Sequence, residues 1–144
     1  LWCRSSNPGA EEFQDLQVSG PEFTGEKPLY EWIALRGKAW DQSNNVGLVV
    51  GATYPEELKR IRNLCPDMPI LIPGVGRQSG DLEISVSNGV DSHGRNALIN
   101  LSRSVLYASK SPIEFAQAAR DEVESIRQRI NNQLITNGQS LGNP

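Results

Sequence analysis

The sequence predicts an α/β fold with a parallel sheet, built from four consecutive strand–loop–helix units. Two observations lead there. Four short apolar runs, at residues 1–4, 46–50, 69–72 and 97–101, each give way to loop residues. None of them alternates polar with apolar, which suits parallel strands buried on both faces. Between the runs lie segments with apolar residues at helical spacing, and regular alternation of strands and helices means a parallel sheet. The right-handed crossover rule leaves two arrangements open, a curved four-stranded half-barrel and an open doubly wound sheet.

The first run, Leu1-Trp2-Cys3, has no turn or cap before it, so a chain entered mid-strand, a fragment or processed product, is expected. It leads into Ser5-Ser6-Asn7-Pro8-Gly9. Hydroxyls and an amide at a strand's C-terminal end can hydrogen-bond a polar heterocycle, and an ordinary turn uses the same residues. The loop over 8–27 is long and polar, with Gly9, Gly20, Pro21 and Gly25; function and disorder both account for such a loop. Pro28 then opens a helix carrying Leu29, Ile33 and Trp40 on one face. After the second run, Thr53-Tyr54-Pro55-Glu56 reads as a capping box, followed by Leu58, Ile61 and Cys65 at helical spacing. Lys59, Arg60 and Arg62 fall opposite that apolar face and are expected in solvent.

The third run ends in Pro73-Gly74-Val75-Gly76-Arg77-Gln78-Ser79-Gly80-Asp81, and a short helix over 81–87 should stop at Asn88-Gly89. The fourth run ends in Ser102-Arg103-Ser104. Ser111-Pro112-Ile113-Glu114 reads as a second capping box, before a stripe of Phe115, Ala119, Val123, Ile126, Ile130 and Leu134. The expected organisation is one folded unit over 1–135 and a polar, disordered tail over 136–144.

At 144 residues the chain is at most one domain, and about half of a complete (β/α)₈ barrel of about 250 residues. Hydrophobic residues make up 38%, enough for a core. The net charge of −3 comes from 14 basic and 17 acidic residues without a run of one sign, which argues against nucleic acid or an anionic membrane as partner. The residues of this chain show no long apolar span, and no signal peptide is expected from them. Cys3 and Cys65 have neither metal-ligand spacing nor the density of a disulfide framework, and read as two buried thiols of a reducing compartment. His93, the single histidine, has no nucleophile beside it and is expected in a solvent-facing loop. No paired-ligand motif for a metal is present.

The chemistry points to phosphate. Gly74-x-Gly76 alone is a weak signal. A dinucleotide fingerprint needs a third glycine where Ser79 stands, no Gly-Lys-Ser/Thr follows as a Walker loop requires, and a structural turn remains open. Pairing with Ser102-Arg103 strengthens the phosphate reading. A glycine-rich strand end beside one carrying a lone Arg is how a barrel holds a phosphate monoester at its seventh and eighth strands. Glycines admit backbone N–H groups to the anion, and Gln78 and Arg103 add side-chain donors.

These residues, taken in order, resemble a known family. Val46-Gly47-Leu48-Val49-Val50-Gly51-Ala52-Thr53, Pro55-Glu56-Glu57-Leu58, Leu71-Ile72-Pro73-Gly74-Val75-Gly76, Gln78, Gly80-Asp81, Ile99-Asn100, Ser102-Arg103 and Leu106-Tyr107-Ala108 resemble orotidine 5′-phosphate decarboxylase. Cys3-Arg4-Ser5-Ser6-Asn7-Pro8-Gly9-Ala10 matches the fifth strand of the same family. The resemblance covers roughly residues 1–134. The long-loop form around Pro28-Leu29-Tyr30 looks like the branch common in bacteria and also found fused to other enzymes.

The resemblance implies a TIM (β/α)₈ barrel of which this chain supplies strands five to eight with their helices. It implies a cytoplasmic homodimer that converts orotidine 5′-monophosphate to UMP and CO₂ in pyrimidine biosynthesis, with no metal or organic cofactor. Ser6 would hydrogen-bond the pyrimidine edge. Gln78 would reach the phosphate, and Arg103 would bind it with the Ser102 backbone N–H. Arg77 and Ser79 stand where Ala and Gly are usual, and Arg77 is a candidate extra phosphate donor. The family's proton donor is a Lys within Asp-x-Lys-x-x-Asp on a strand of the first half-barrel. None of Lys27, Lys38, Lys59 and Lys110 stands in that pattern, so no catalytic residue is expected in this chain, and it should be inactive alone. The missing N-terminal half-barrel is then the expected partner. The alternative is a non-catalytic half-barrel that binds a phosphorylated ligand or completes a barrel with another chain, since open sheet edges call for completion.

Overall fold

The computed structural model describes residues 1–21, 23–76 and 80–139, the side chain of Phe23 excepted. Four strands, β1 (Trp2–Arg4), β4 (Leu48–Val50), β5 (Ile70–Pro73) and β6 (Ala97–Asn100), form one sheet in the order β1-β4-β5-β6. All three pairings are parallel. Helices α2 (Leu29–Trp40), α3 (Pro55–Leu64) and α4 (Leu82–Gly89) make the crossovers, and α5 (Arg103–Leu106) and α6 (Phe115–Thr136) follow β6. The strand order never reverses. A doubly wound sheet reverses at a switch point and covers both faces with helices. A sequentially wound sheet puts its helices on one face, as half of a (β/α)₈ barrel does.

Burial follows that winding. On the helix side Cys3, Leu48, Val50, Ile70 and Ile72 are fully buried, among Ala34, Leu58, Ile61 and Val86. On the other side Trp2, Val49, Leu71 and Leu98 stand in one register row across the sheet. Trp2 is 65%, Leu71 36% and Leu98 53% exposed. The expectation of strands buried on both faces is corrected here. The inner face of a barrel strand is covered by the opposite wall of the closed barrel, and four strands supply only one wall.

The loop over 8–27 is not featureless. It holds a short helix, α1 (Glu11–Gln14), and an antiparallel hairpin of β2 (Gln17–Gly20) and β3 (Phe23–Pro28). The hairpin pattern is hidden in sequence because Gly20, Pro21 and Gly25 read as loop. Helix α2 buries Tyr30, Ala34 and Gly37 and packs Ile33 partly against the core, but it leaves Trp40, expected on the same face as Leu29 and Ile33, exposed. Small residues turned inward let this helix lie close to the sheet, and a search for bulky apolar spacing overlooks them. Trp40 and the half-buried Trp32 instead flank the Arg36 guanidinium.

Neither capping box forms. The residue before α3 is Tyr54, without a side-chain cap, and Thr53 Oγ1 donates to the Ser6 carbonyl instead. Helix α6 starts at Phe115, after a turn closed by the Phe115 N–H on the Ser111 carbonyl. Asp81 does cap α4, accepting from the Ile84 N–H at 2.8 Å. Of the α6 stripe, Ile126 and Leu134 are buried, while Phe115 and Val123 are exposed, because only the C-terminal part of the helix lies against α4. There Arg129 grips Glu83 with both Nε and Nη2, at 2.8 and 2.9 Å. Helix α6 runs through Thr136, and the Gln139 amide donates to the Asp91 carbonyl at 3.0 Å. That part of the expected tail is therefore held, and residues 140–144 lie outside the described set.

The largest departure is Arg62. Expected in solvent, it is 7% exposed and donates to five backbone carbonyls, those of Cys65, Pro66, Met68, Gly89 and Asn96. Burial pushes its pKa down, with Asp91 the foremost opposing influence. Asp91 organises the same loop end, accepting from the N–H groups of His93 and Arg95 and from the Asn96 amide. Burial raises the Asp91 carboxyl, but these donors outweigh it and hold the group below the usual aspartate value. A depressed folded pKa contributes stability above the unfolded value, about 3.9, and loses it as pH falls through the folded one. Urea titrations between pH 6 and 2.5 should show a smaller loss of midpoint on acidification in Asp91→Asn than in the parent chain. An equal loss would assign the acid sensitivity elsewhere.

Candidate functional site

The C-terminal ends of the four parallel strands open onto a cleft of about 470 Å³. Three sets of loop residues line it: Ser6 and Asn7 after β1, Gly74 and Val75 after β5, and Ser102, Arg103 and Ser104 after β6. Trp2, Val49 and Leu71 from the open sheet face, with Pro73 and Asn100 at the strand ends, complete the lining. The cleft thus has an apolar wall and a polar rim of hydroxyls, amides and one guanidinium. Such a mixture fits a flat heterocycle and an anionic group at different ends.

Each loop is shaped by a specific local feature. Ser6 packs against the backbone beyond β4: a Cβ on Gly51 would come within 2.6 Å of the Ser6 nitrogen, so this close approach requires glycine. Beyond β5, Gly74 and Gly76 have φ of +92° and +86°, values that side chains resist. The Gly76 N–H donates to the Gly80 carbonyl at 2.9 Å and the Gly80 N–H to the Gly74 carbonyl at 3.3 Å, so the loop closes on its own ends. Arg103 opens α5 and is exposed, and among the described residues it forms no ion pair with a carboxylate. Arg103 is one of the residues lining the cleft.

Of the residues singled out in sequence, Ser6, Ser102 and Arg103 therefore come together on one cleft. Gln78, Arg77 and Ser79 lie outside the described residues. Asn100, Gln14, Thr53 and Arg4 were missed. Asn100 is legible only as the last residue of a strand, but the other three act through contacts that no spacing reveals. Arg4 is 1% exposed, lies 3.9 Å from the centre of the Tyr54 ring and pairs with Asp15 at 3.2 Å. None of the four lysines lines the cleft. Cys3 is buried on the helix side of the sheet, with its thiol pushed up to about 12, chiefly by burial and then by Cys65. Among the described residues no group of three His, Cys, Asp or Glu gathers as a metal site, and no helix is long and apolar enough to cross a membrane.

No protein-family model matches the chain. Curated relatives do. Orotidine 5′-phosphate decarboxylase of Thermomicrobium roseum is 52% identical over 128 residues, 88% of this chain and 44% of the relative. That of Dehalococcoides mccartyi is 47% identical over 132 residues, 91% of this chain and 47% of the relative. Among solved structures, Leishmania donovani UMP synthase superposes with a TM-score of 0.72 at 36% identity, covering 89% of this chain and 27% of that one. Leishmania donovani OMP decarboxylase gives a TM-score of 0.70 at 35% identity, covering 90% of this chain and 46% of that one. The chain spans about half the length of the curated relatives it matches. Sequence identity, superposition and strand order agree, and along about nine-tenths of its length the chain is homologous to the C-terminal half of orotidine 5′-phosphate decarboxylase, a half of that family's (β/α)₈ barrel.

Proposed function

We propose that this chain is the base- and phosphate-binding half of a decarboxylase that converts orotidine 5′-monophosphate to UMP and CO₂. The observation that carries the reading is the meeting of Ser6, Ser102 and Arg103 on one cleft at the strand C-termini. Arg103 and the Ser102 N–H hold the phosphate, with Gln78 as a further donor and Arg77 as an additional one. Ser6 hydrogen-bonds the pyrimidine edge. Trp2, Val49 and Leu71 exclude water once the opposite barrel wall is in place. Binding energy from the remote phosphate lowers the barrier at the base only if it is realised in the transition state. The groups that repel the substrate carboxylate and protonate the developing carbanion are absent from the cleft lining, and the N-terminal half-barrel supplies them. The assembled enzyme is a cytoplasmic homodimer.

The test is Arg103→Ala in the chain assembled with an N-terminal half. Affinity for UMP should fall roughly 10- to 100-fold, the usual worth of a charge-assisted hydrogen bond. Affinity for uridine, which lacks the phosphate, should barely change. Equal losses by titration calorimetry would make Arg103 a structural residue and remove the phosphate assignment.

A further inference from the structure

The end of β1 is gripped by side chains that the binding roles above leave unexplained. Gln14, the last residue of α1, turns its Oε1 back to the strand end. It accepts the Ser5 N–H at 2.8 Å and Nη1 of Arg4 at 3.4 Å. Arg4 is fixed in turn by Asp15 and by stacking on Tyr54, whose hydroxyl donates to Glu11 at 3.0 Å. Glu11 and Gln14 of α1, and Asp15 just after it, thus all reach to one pair, the buried Arg4 guanidinium and the half-buried Tyr54 ring. From the opposite side Thr53 Oγ1 donates to the Ser6 carbonyl at 3.3 Å, and Gly51 leaves room for the Ser6 backbone. The Ser5 hydroxyl closes the turn by accepting the Asn7 N–H at 3.1 Å.

Helix α1 adds little to the core. It buries none of its residues, and Phe13 and the neighbouring Leu16 are 68% and 55% exposed. Its polar side chains are what it contributes. Asp15 already balances the charge of Arg4, so the acceptor shared between Arg4 and Ser5 can be a neutral amide oxygen.

We propose that Gln14 is a positioning residue of the cleft, fixing the Arg4–Ser5 peptide at the end of β1 and so aiming the Ser6 hydroxyl, one residue on, at the base of a bound nucleotide. The second half of that statement rests on the nucleotide reading of the cleft; the first does not. It gives the long loop after β1 its use, as a brace folded back against the strand that it leaves.

Two variants test it. Gln14→Leu removes the acceptor at similar bulk, and Gln14→Glu keeps an oxygen in place. By amide hydrogen exchange on the 144-residue chain, Gln14→Leu should speed exchange at Ser5 about tenfold or more while Val50 and Ile72 keep their protection. Gln14→Glu should restore the parent rate to within about twofold. In the chain assembled with an N-terminal half, Gln14→Leu should weaken UMP about tenfold and leave ribose 5-phosphate, which lacks the base, within about twofold. Adding Ser6→Ala should then cost nothing further for UMP. Unchanged exchange at Ser5, equal losses for both ligands, or additive losses with Ser6→Ala would each overturn the proposal. Failure of the parent assembly to bind either ligand would sink the nucleotide reading instead, and the exchange measurement would still decide whether Gln14 holds the loop.

Discussion

Arg62→Met should destabilise the chain by on the order of 4 kcal/mol, more than any change at the cleft. The guanidinium has five N–H donors and makes six contacts, so at least one donor is shared. Nε and Nη2 reach the Gly89 carbonyl at 2.8 and 2.6 Å, and Nη2 also reaches Asn96 at 2.8 Å. Nη1 reaches Cys65 and Pro66 at 3.0 Å and Met68 at 2.8 Å. These carbonyls belong to the C-terminal ends of α3 and α4 and to the loops entering β5 and β6. One side chain therefore ties together both helix-to-strand returns. Methionine fills the volume but offers no donor, and each buried carbonyl left unpaired costs about 1–3 kcal/mol. Some would recover water, which keeps the total well below the sum. The loss is still a large fraction of the about 5–15 kcal/mol that holds a domain folded. Urea unfolding should show a lower midpoint with little change in slope. Arg62→Lys should recover only part, since three donors on a point charge cannot reproduce a planar fork. A shift of under about 1 kcal/mol in Arg62→Met would mean that the carbonyls find other partners readily.

Arg62 also shows where sequence reading stops. Leu58, Ile61 and Cys65 announce the buried face of α3 by spacing alone, and the structure buries all three. The same periodicity places Arg62 outside, because an apolar stripe cannot register a cation whose partners are backbone carbonyls. The parallel strands were legible because 46–50 and 69–72 are apolar runs of strand length. That one of their faces lies open was not, because burial there depends on residues outside these four strands. The polar rim of the cleft was legible where a residue type and a strand end coincide, as at Ser6 and Arg103. It was not legible at Gln14, which reaches its partners only because α1 folds back on β1. The capping boxes failed for a related reason. Thr53 has the right spacing, but the Ser6 carbonyl, 47 residues away in sequence, takes its hydroxyl.

Decarboxylation is the other all-or-none expectation. The chain alone should leave orotidine 5′-monophosphate unchanged, because among the described residues the cleft lining includes Ser6, Asn7, Ser102 and Arg103 but neither a lysine nor a carboxylate. General acid catalysis and electrostatic stabilisation at the base both need such groups, opposite the phosphate site proposed for Arg103. The open row of Trp2, Val49, Leu71 and Leu98 and the unpaired edges of β1 and β6 are surfaces on which a second half-barrel can close. Activity also needs accurate closure, since a displacement of about 1 Å can cost on the order of a hundredfold. Co-expression is therefore preferable to mixing two purified halves. The direct measurement is the fall in orotidine 5′-monophosphate absorbance with the chain alone and with the chain co-expressed beside the N-terminal half of the Thermomicrobium roseum relative. No turnover alone, turnover on co-expression, and loss of that turnover in Arg103→Ala are the predicted results. Turnover by the 144-residue chain on its own, or turnover on co-expression that survives Arg103→Ala unchanged, would contradict the account.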